Sequence, residues 1–379
     1  MFAESPQDSR WVEARVDLDA VRHNVGVMRR IAAPAAVWAV VKADGYGHGA
    51  VPIARAVVAG GSEGLCVALA QEGVELRDAG IDAPILLLSE QPVSQLDAVV
   101  ANRLIPTLYS IGAVRAMTEA ARRAGRSGYP VQVKVDTGMN RVGVAPGGAL
   151  DLIRAVEAAS PTLRLAGVFT HLAVTDEVDN PFTAQQIERF EQVLQSLPTR
   201  PPVVHAANSG GALAHAATRY DLVRPGITLY GIEPGETLRG HCADLVPAMS
   251  LVSRVSYVKR VRAGERISYG LRHTFDRDTT VATVPIGYAD GVPRRLGNAK
   301  GLVLLGGKRR DIAGMVTMDQ LMLDCGDDAV QVGDEVVLFG EQGRERVRAE
   351  EWAEALGTIG YEIVCGISKR VRRVYLGAP

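Results

Sequence analysis

The sequence predicts an α/β protein with an N-terminal (β/α)8 TIM-type barrel over residues 17–243. A mostly antiparallel β domain follows over residues 244–379, and residues 1–16 are expected to join it. Three observations carry this reading. Short apolar runs alternate with amphipathic stretches through the first part, the pattern of a parallel sheet covered by helices. Near Asp244 the pattern changes to period-2 segments separated by Gly or Asp turns, which reads as antiparallel sheet. The polar residues of the first part also gather where the apolar runs end, and a barrel collects its chemistry on that rim.

The elements follow in order. Trp11–Val16 has strand character. Val21, Val25, Met28 and Ile31 keep helical spacing over Asp19–Ala33, and Asp17 is placed to cap that helix. The apolar runs are Val37–Lys42, Gly64–Ala70, Ile85–Ser89, Leu104–Leu108, Val131–Thr137, Leu165–Leu172, Val203–Asn208 and Leu222–Gly226. Amphipathic stretches such as Val51–Val58, Ile111–Ala124, Leu150–Ala158 and Gln185–Leu197 separate them. Eight units in roughly 230 residues fit a closed barrel better than an open sheet, with a doubly wound fold as the competing reading. Beyond Asp244, Val252–Val258, Thr280–Ile286, Gly301–Leu305, Gln320–Asp324 and Glu335–Phe339 read as strands. One late helix is expected at Arg348–Leu356.

Composition excludes several function classes. The chain has 379 residues, 47% hydrophobic and 22% charged, with net charge −1. That is ordinary for a globular protein, and the basic footprint of a nucleic-acid binder is missing. No apolar stretch is long enough to span a bilayer, and the first ten residues lack the pattern of a signal peptide. Cys66, Cys242, Cys325 and Cys365 are scattered, as expected of buried or inert thiols in the cytoplasm. The seven histidines form no HExxH, and no metal site is expected.

Lys42 closes a buried apolar run and is followed by Ala-Asp-Gly-Tyr-Gly-His-Gly. A buried amine is costly unless paired, neutral or covalently used. It fits a Schiff base with an aldehyde cofactor and equally a structural ion pair. The later runs end at Lys134-Val-Asp-Thr-Gly-Met-Asn-Arg141, Thr170-His171, His205-Ala-Ala-Asn208-Ser209 and Arg224-Pro-Gly226-Ile227. Ser209 opens a helix expected over Gly211–Tyr220, and small residues there leave amides open to an anion. With Gly226-Ile227 it reads either as a phosphate site on the late strands or as a plain helix cap and turn. Gly45-Tyr-Gly-His-Gly49 lacks the GxGxxG spacing, and Gly306-Gly-Lys308 is followed by Arg, so neither is a nucleotide motif.

The string Ala39-Val-Val-Lys42-Ala-Asp-Gly-Tyr-Gly-His-Gly resembles the cofactor-lysine signature of the alanine racemases, fold-type III pyridoxal phosphate enzymes. Ser268-Tyr269-Gly, Gly287-Tyr288-Ala-Asp-Gly, Met318-Asp319-Gln and Thr358-Ile-Gly-Tyr361-Glu, with the segments quoted above, look like family motifs in family order from residue 39 to 362. The resemblance implies that Lys42 holds pyridoxal 5'-phosphate as a Schiff base and is one catalytic base. It implies that Tyr269, from a partner subunit, is the other. Arg224 would pair with the pyridine nitrogen, supported by His171. Tyr46, Asn208, Ser209, Gly226, Ile227 and Tyr361 would complete the cofactor site. Arg141 and the Met318 backbone would bind the substrate carboxylate, with Tyr288 and Asp319 on the substrate side. Lys134 would carry a carbamate that orients Arg141. The implied protein is a cytoplasmic homodimer that makes D-alanine for the cell wall from a small-molecule amino-acid substrate, with no nucleic-acid or membrane partner. A fold-type III decarboxylase usually places a carboxylate at the pyridine nitrogen, and Arg224 argues against it. A barrel-only cofactor carrier would lack residues 244–379. A class I aldolase shares only the barrel lysine.

Overall fold

The computed structural model describes residues 10–377. The described residues divide into two compact units, one spanning Asp19–Val246 and one formed by residues 10–18 and 247–377. The first strand, β1 (Val12–Asp17), belongs to the second unit.

The Asp19–Val246 unit is a barrel of eight parallel strands: β2 (Ala36–Val40), β3 (Gly64–Val67), β4 (Ile85–Leu87), β5 (Thr107–Leu108), β6 (Tyr129–Lys134), β7 (Leu163–Phe169), β8 (Val204–His205) and β9 (Leu222–Val223). They are ordered β4-β3-β2-β9-β8-β7-β6-β5. A parallel bridge from Leu86 to Ile105 joins the ends, with Leu87 N–H donating to the Ile105 carbonyl at 2.9 Å. Closure removes the sheet edges that an open doubly wound fold would leave. β3 and β4 are buried along their whole length, which is why they show no alternation in sequence. The covering helices turn apolar faces inward: Ile111–Arg123 buries Val114, Met117, Ala120 and Ala121, and Phe182–Ser196 buries Phe190 and Val193.

The second unit is mostly antiparallel. Its strands are β10 (Met249–Arg254), β11 (Tyr257–Val261), β12 (Arg266–Ile267), β13 (His273–Thr274), β14 (Thr279–Val284), β15 (Leu302–Leu305), β16 (Lys308–Asp311), β17 (Leu321–Asp324), β18 (Glu335–Gln342), β19 (Glu345–Val347) and β20 (Arg372–Leu376). The largest sheet runs β16-β15-β18-β10-β1-β20, with β19 on β18. β1 pairs antiparallel with β10 and parallel with β20. A three-stranded sheet β11-β14-β17 and the hairpin β12-β13 complete the unit.

Four local expectations change. The run Val252–Val258 is split, because β10 pairs with β18 while β11 pairs with β14, so the chain changes sheets at Val255-Ser256. Two late helices form rather than one, Ala349–Leu356 and Gly360–Cys365. The helix expected over Gly211–Tyr220 spans only Ser209–Ala214, and a single turn, Ala216–Thr218, follows His215. Cys66, Cys242 and Cys325 are buried, but Cys365 is exposed.

Candidate active site

The first barrel strand ends at Val40, two residues short of Lys42. Lys42 opens a compact turn in which Ala43, Asp44, Gly45 and Tyr46 all take left-handed backbone, with φ of 53°, 54°, 58° and 53°. Each non-glycine residue there costs roughly 1–2 kcal/mol, so the turn needs external support. Glu72 supplies it: one oxygen accepts from Ala43 N–H at 2.6 Å, the other from Ala68 and Leu69 N–H. Asp44 accepts from Ala50 N–H at 2.8 Å. The result leaves Lys42 half-buried on the rim and turns Tyr46 inward, where it packs on Tyr230 with centroids 4.9 Å apart.

Arg224 lies just after β9 and is almost fully buried. Its Nη2 donates to the carbonyls of Thr170 and Ala206 at 2.9 and 3.0 Å and to His171 Nδ1 at 3.4 Å. Its Nη1 donates to His205 Nδ1. These bonds fix both terminal nitrogens and leave Nε as the guanidinium donor turned to no residue among them. Burial lowers Arg224 to about 10, partly offset by Cys66, and it stays cationic at neutral pH. Its guanidinium also lies 5.0 Å from the centre of the Phe169 ring.

The rim is densely cationic. Lys134, at the end of β6, is buried and sits 5.6 Å over Phe169. Burial, then Arg224 and Arg141, bring its ammonium down to about 7; Asp136 opposes them and Lys42 adds to the lowering. Burial, then Arg224 and Lys134, push His171 and His205 well below the usual imidazole range, with Arg141 and Lys42 adding to the effect on His171. Asp136 shapes the following loop, accepting from Gly138, Asn140 and Arg141 N–H, and so presents Arg141 at the rim.

On the late strands, Ser209 Oγ accepts from Gly226 N–H at 2.9 Å and from Thr228 Oγ1 at 3.3 Å. Asn208 Oδ1 caps the helix through Gly211 N–H at 3.0 Å and accepts from Thr175. A Cβ on Gly226 would fall on the Tyr46 hydroxyl, so the glycine lets that hydroxyl approach the backbone next to Ser209 and buried Ile227. Hydroxyls and amides in a cationic setting suit a phosphate.

In the other unit, Tyr269 stands on the β12–β13 turn, between left-handed Ser268 and Gly270, and is 71% exposed. The Gly287–Gly291 turn lies on the backbone of Thr317 and Met318: Tyr288 and Ala289 N–H donate to their carbonyls at 2.9 and 3.0 Å. Buried Asp290 pins that turn, accepting from Gly287 N–H and pairing with Arg10 and Arg370. Arg370 also pairs with Asp319 at 2.7 Å. Tyr361 is half-buried on the short second helix.

The barrel unit thus gathers Lys42, Tyr46, Lys134, Arg141, His171, Asn208, Ser209, Arg224, Gly226 and Ile227 near one rim. Tyr288, Met318 and Asp319 form a second group in the β unit, while Tyr269 stands on the β12–β13 turn and Tyr361 on the short helix Gly360–Cys365. Sequence reasoning had no role for Glu72, Gln132, His205, Asp290 or Arg370. His205 at a strand end and Asp290 inside a quoted motif were the available signals.

A lysine on the barrel rim, the hydroxyl and amide groups of Tyr46, Ser209 and Gly226, and a fixed guanidinium on the same barrel fit pyridoxal phosphate. They define a barrel-type pyridoxal phosphate enzyme acting on an amino acid. The family pattern "Alanine racemase, N-terminal domain" matches residues 16–234, and "Alanine racemase, C-terminal domain" matches residues 248–375. The chain belongs to the alanine racemase family, whose members are pyridoxal phosphate-dependent isomerases.

Among its relatives, the alanine racemase of Thermobifida fusca is 46% identical over 377 residues, 98% of this chain and 99% of that one. The fold matches an alanine racemase from Streptomyces coelicolor A3(2) with TM-score 0.93 and 41% identity, covering 97% and 98% of the two chains. It matches one from Bartonella henselae, solved with covalently bound pyridoxal phosphate, with TM-score 0.86 and 30% identity over 96% and 99%. Among the described residues no helix is long and apolar enough to cross a membrane.

Proposed function

We propose that this protein interconverts L-alanine and D-alanine with two bases on opposite faces of Cα, and supplies D-alanine for peptidoglycan in the cytoplasm. The observation that carries the reading is Arg224: a buried guanidinium held by four partners with Nε left over. When bound, pyridoxal phosphate supplies the electron sink that makes the Cα–H of an attached amino acid acidic.

The protein's own groups do the rest. Lys42 anchors the cofactor through its amine and moves a proton on one face of Cα. The Tyr269 hydroxyl moves the proton on the other, which is the most direct route to inversion. Arg224 would donate to the pyridine nitrogen and, having no acceptor, would keep it unprotonated; His171 steadies the guanidinium. Tyr46, Asn208, Ser209, Gly226, Ile227 and Tyr361 hold or shape the cofactor's phosphate site. Arg141 and the Met318 backbone bind the substrate carboxylate, with Tyr288 and Asp319 bordering it.

The active form is a homodimer in which Tyr269 serves the partner's barrel. Tyr269, Leu271, Tyr288 and Met318 are large side chains exposed on the β unit, and a second copy would cover them. Mixing inactive Lys42→Ala and Tyr269→Phe proteins under conditions of subunit exchange should restore up to about a quarter of the native sites, since a random mixture places both intact bases together in that share. Proven exchange without recovery sinks the shared site.

Lys134 carries a carbamate that orients Arg141. Its ammonium titrates near 7, so the neutral amine that adds carbon dioxide dominates above that pH and is lost below it. The neutral amine nitrogen bonds to the carbon of carbon dioxide and releases one proton; counted from the ammonium two protons leave, and a cation becomes an anion among Arg141, Arg224 and Lys42. Carbon-13 NMR under labelled carbon dioxide should show a Lys134 carbamate at pH 8 that fades toward pH 6. A Lys134→Gln protein with the same signal rules the site out.

A further inference from the structure

Gln132 is a polar amide buried in β6, 2% exposed, where only a hydrogen-bonding duty makes it affordable. A bulge aims it. β6 and β7 pair Val131 with Leu165 but Gln132 with Gly167, skipping Ala166. Such an irregularity bends the strand and redirects a side chain. Gly167 leaves the space: a Cβ there would lie 3.3 Å from Gln132 Cδ and 2.8 Å from the Val203 carbonyl. The amide oxygen thereby reaches His205 Nε2 at 2.7 Å.

The proton positions follow from the donors. A guanidinium only donates, so His205 Nδ1, which meets Arg224 Nη1, must offer its lone pair. The fully buried imidazole beside a permanent cation is neutral, and its one proton sits on Nε2. Nε2–H needs an acceptor, and Gln132 Oε1 is the one present. Phe169 stacks on the imidazole with centroids 4.6 Å apart and planes 8° from parallel, which fixes the ring's tilt.

We propose that Gln132 is a positioning residue that holds His205 by its Nε2–H, so that Nδ1 stays aimed at Arg224 and keeps the guanidinium in place for the cofactor's pyridine nitrogen. The last clause rests on the reading of Arg224 given above; the lock itself does not. With the tautomer reversed, Nδ1–H would face Nη1–H, two donors would oppose each other, and Arg224 would lose that anchor.

The test compares native holoenzyme with Gln132→Met, which keeps the volume without an amide acceptor, and Gln132→Glu, which keeps an acceptor. Histidine nitrogen-15 shifts distinguish the two neutral tautomers and imidazolium, with the His205 signals assigned by difference. Pyridoxal phosphate retention on dilution is the second readout. Native and Glu proteins should show Nε2–H. The Met protein should keep the proton on Nε2, where Arg224 holds it, but with that N–H unpaired its nitrogen-15 and proton signals should move, and the cofactor should be held about tenfold more weakly, the factor that about 1.4 kcal/mol makes. Native His205 as Nδ1–H or imidazolium, or an unchanged Nε2–H signal in the Met protein, overturns the lock. A shifted Nε2–H signal with unchanged cofactor retention supports the lock and overturns Arg224 as the ring's partner. If the Met protein does not fold, the native spectrum still decides the tautomer, and a Glu protein with Nδ1–H counts against the acceptor's role.

Discussion

Lys42→Ala protein should fold, bind pyridoxal phosphate only reversibly, and lose racemisation by at least about 10⁴-fold, the upper range for a single lost acid–base group. Two functions depend on that amine, the covalent hold on the cofactor and proton transfer on one face. Borohydride should then no longer fix cofactor to the protein, and the absorbance of the lysine Schiff base should vanish. The fold should survive because Lys42 is half-buried at the rim, while the left-handed turn after it is held by Glu72 and Asp44. Turnover within tenfold of native would remove Lys42 from the mechanism.

Tyr269→Phe should lower turnover in both directions by about 10²–10⁴-fold. Cofactor binding should stay close to native. The side chain is largely exposed and the change removes one oxygen, so stability should move by less than about 0.5 kcal/mol. The defect should be asymmetric in proton exchange: loss at Cα of L-alanine and retention at Cα of D-alanine, whose proton faces Lys42. Equal loss from both enantiomers, or undiminished turnover, contradicts the two-base assignment.

Much of this was legible in the sequence, for physical reasons. Buried parallel strands must be apolar throughout, so the eight runs announced themselves, and Lys42, His171, Asn208 and Arg224 stood out as polar residues at their ends. The backbone devices were not legible. Ala43 and Asp44 give no sign that they adopt left-handed backbone, because Glu72, far along the chain, stabilises it. The bulge that aims Gln132 is a register between two strands and leaves no mark in either one. Asp290 sits within a recognisable motif, yet its partners Arg10 and Arg370 lie at opposite ends of the chain. The helix carrying Tyr361 has six residues, too few for a period to show.

Inversion by two bases that exchange with solvent is the central claim, and deuterium tests it most directly. Protein loaded with pyridoxal phosphate is incubated with L-alanine in deuterated water, and chirality and Cα label are followed together from the earliest turnover. D-alanine should appear carrying deuterium at Cα, because the proton removed on one face is not the one returned on the other. D-alanine that keeps its original Cα hydrogen would mean a single group carries the same proton across, and no inversion at all would contradict racemisation itself.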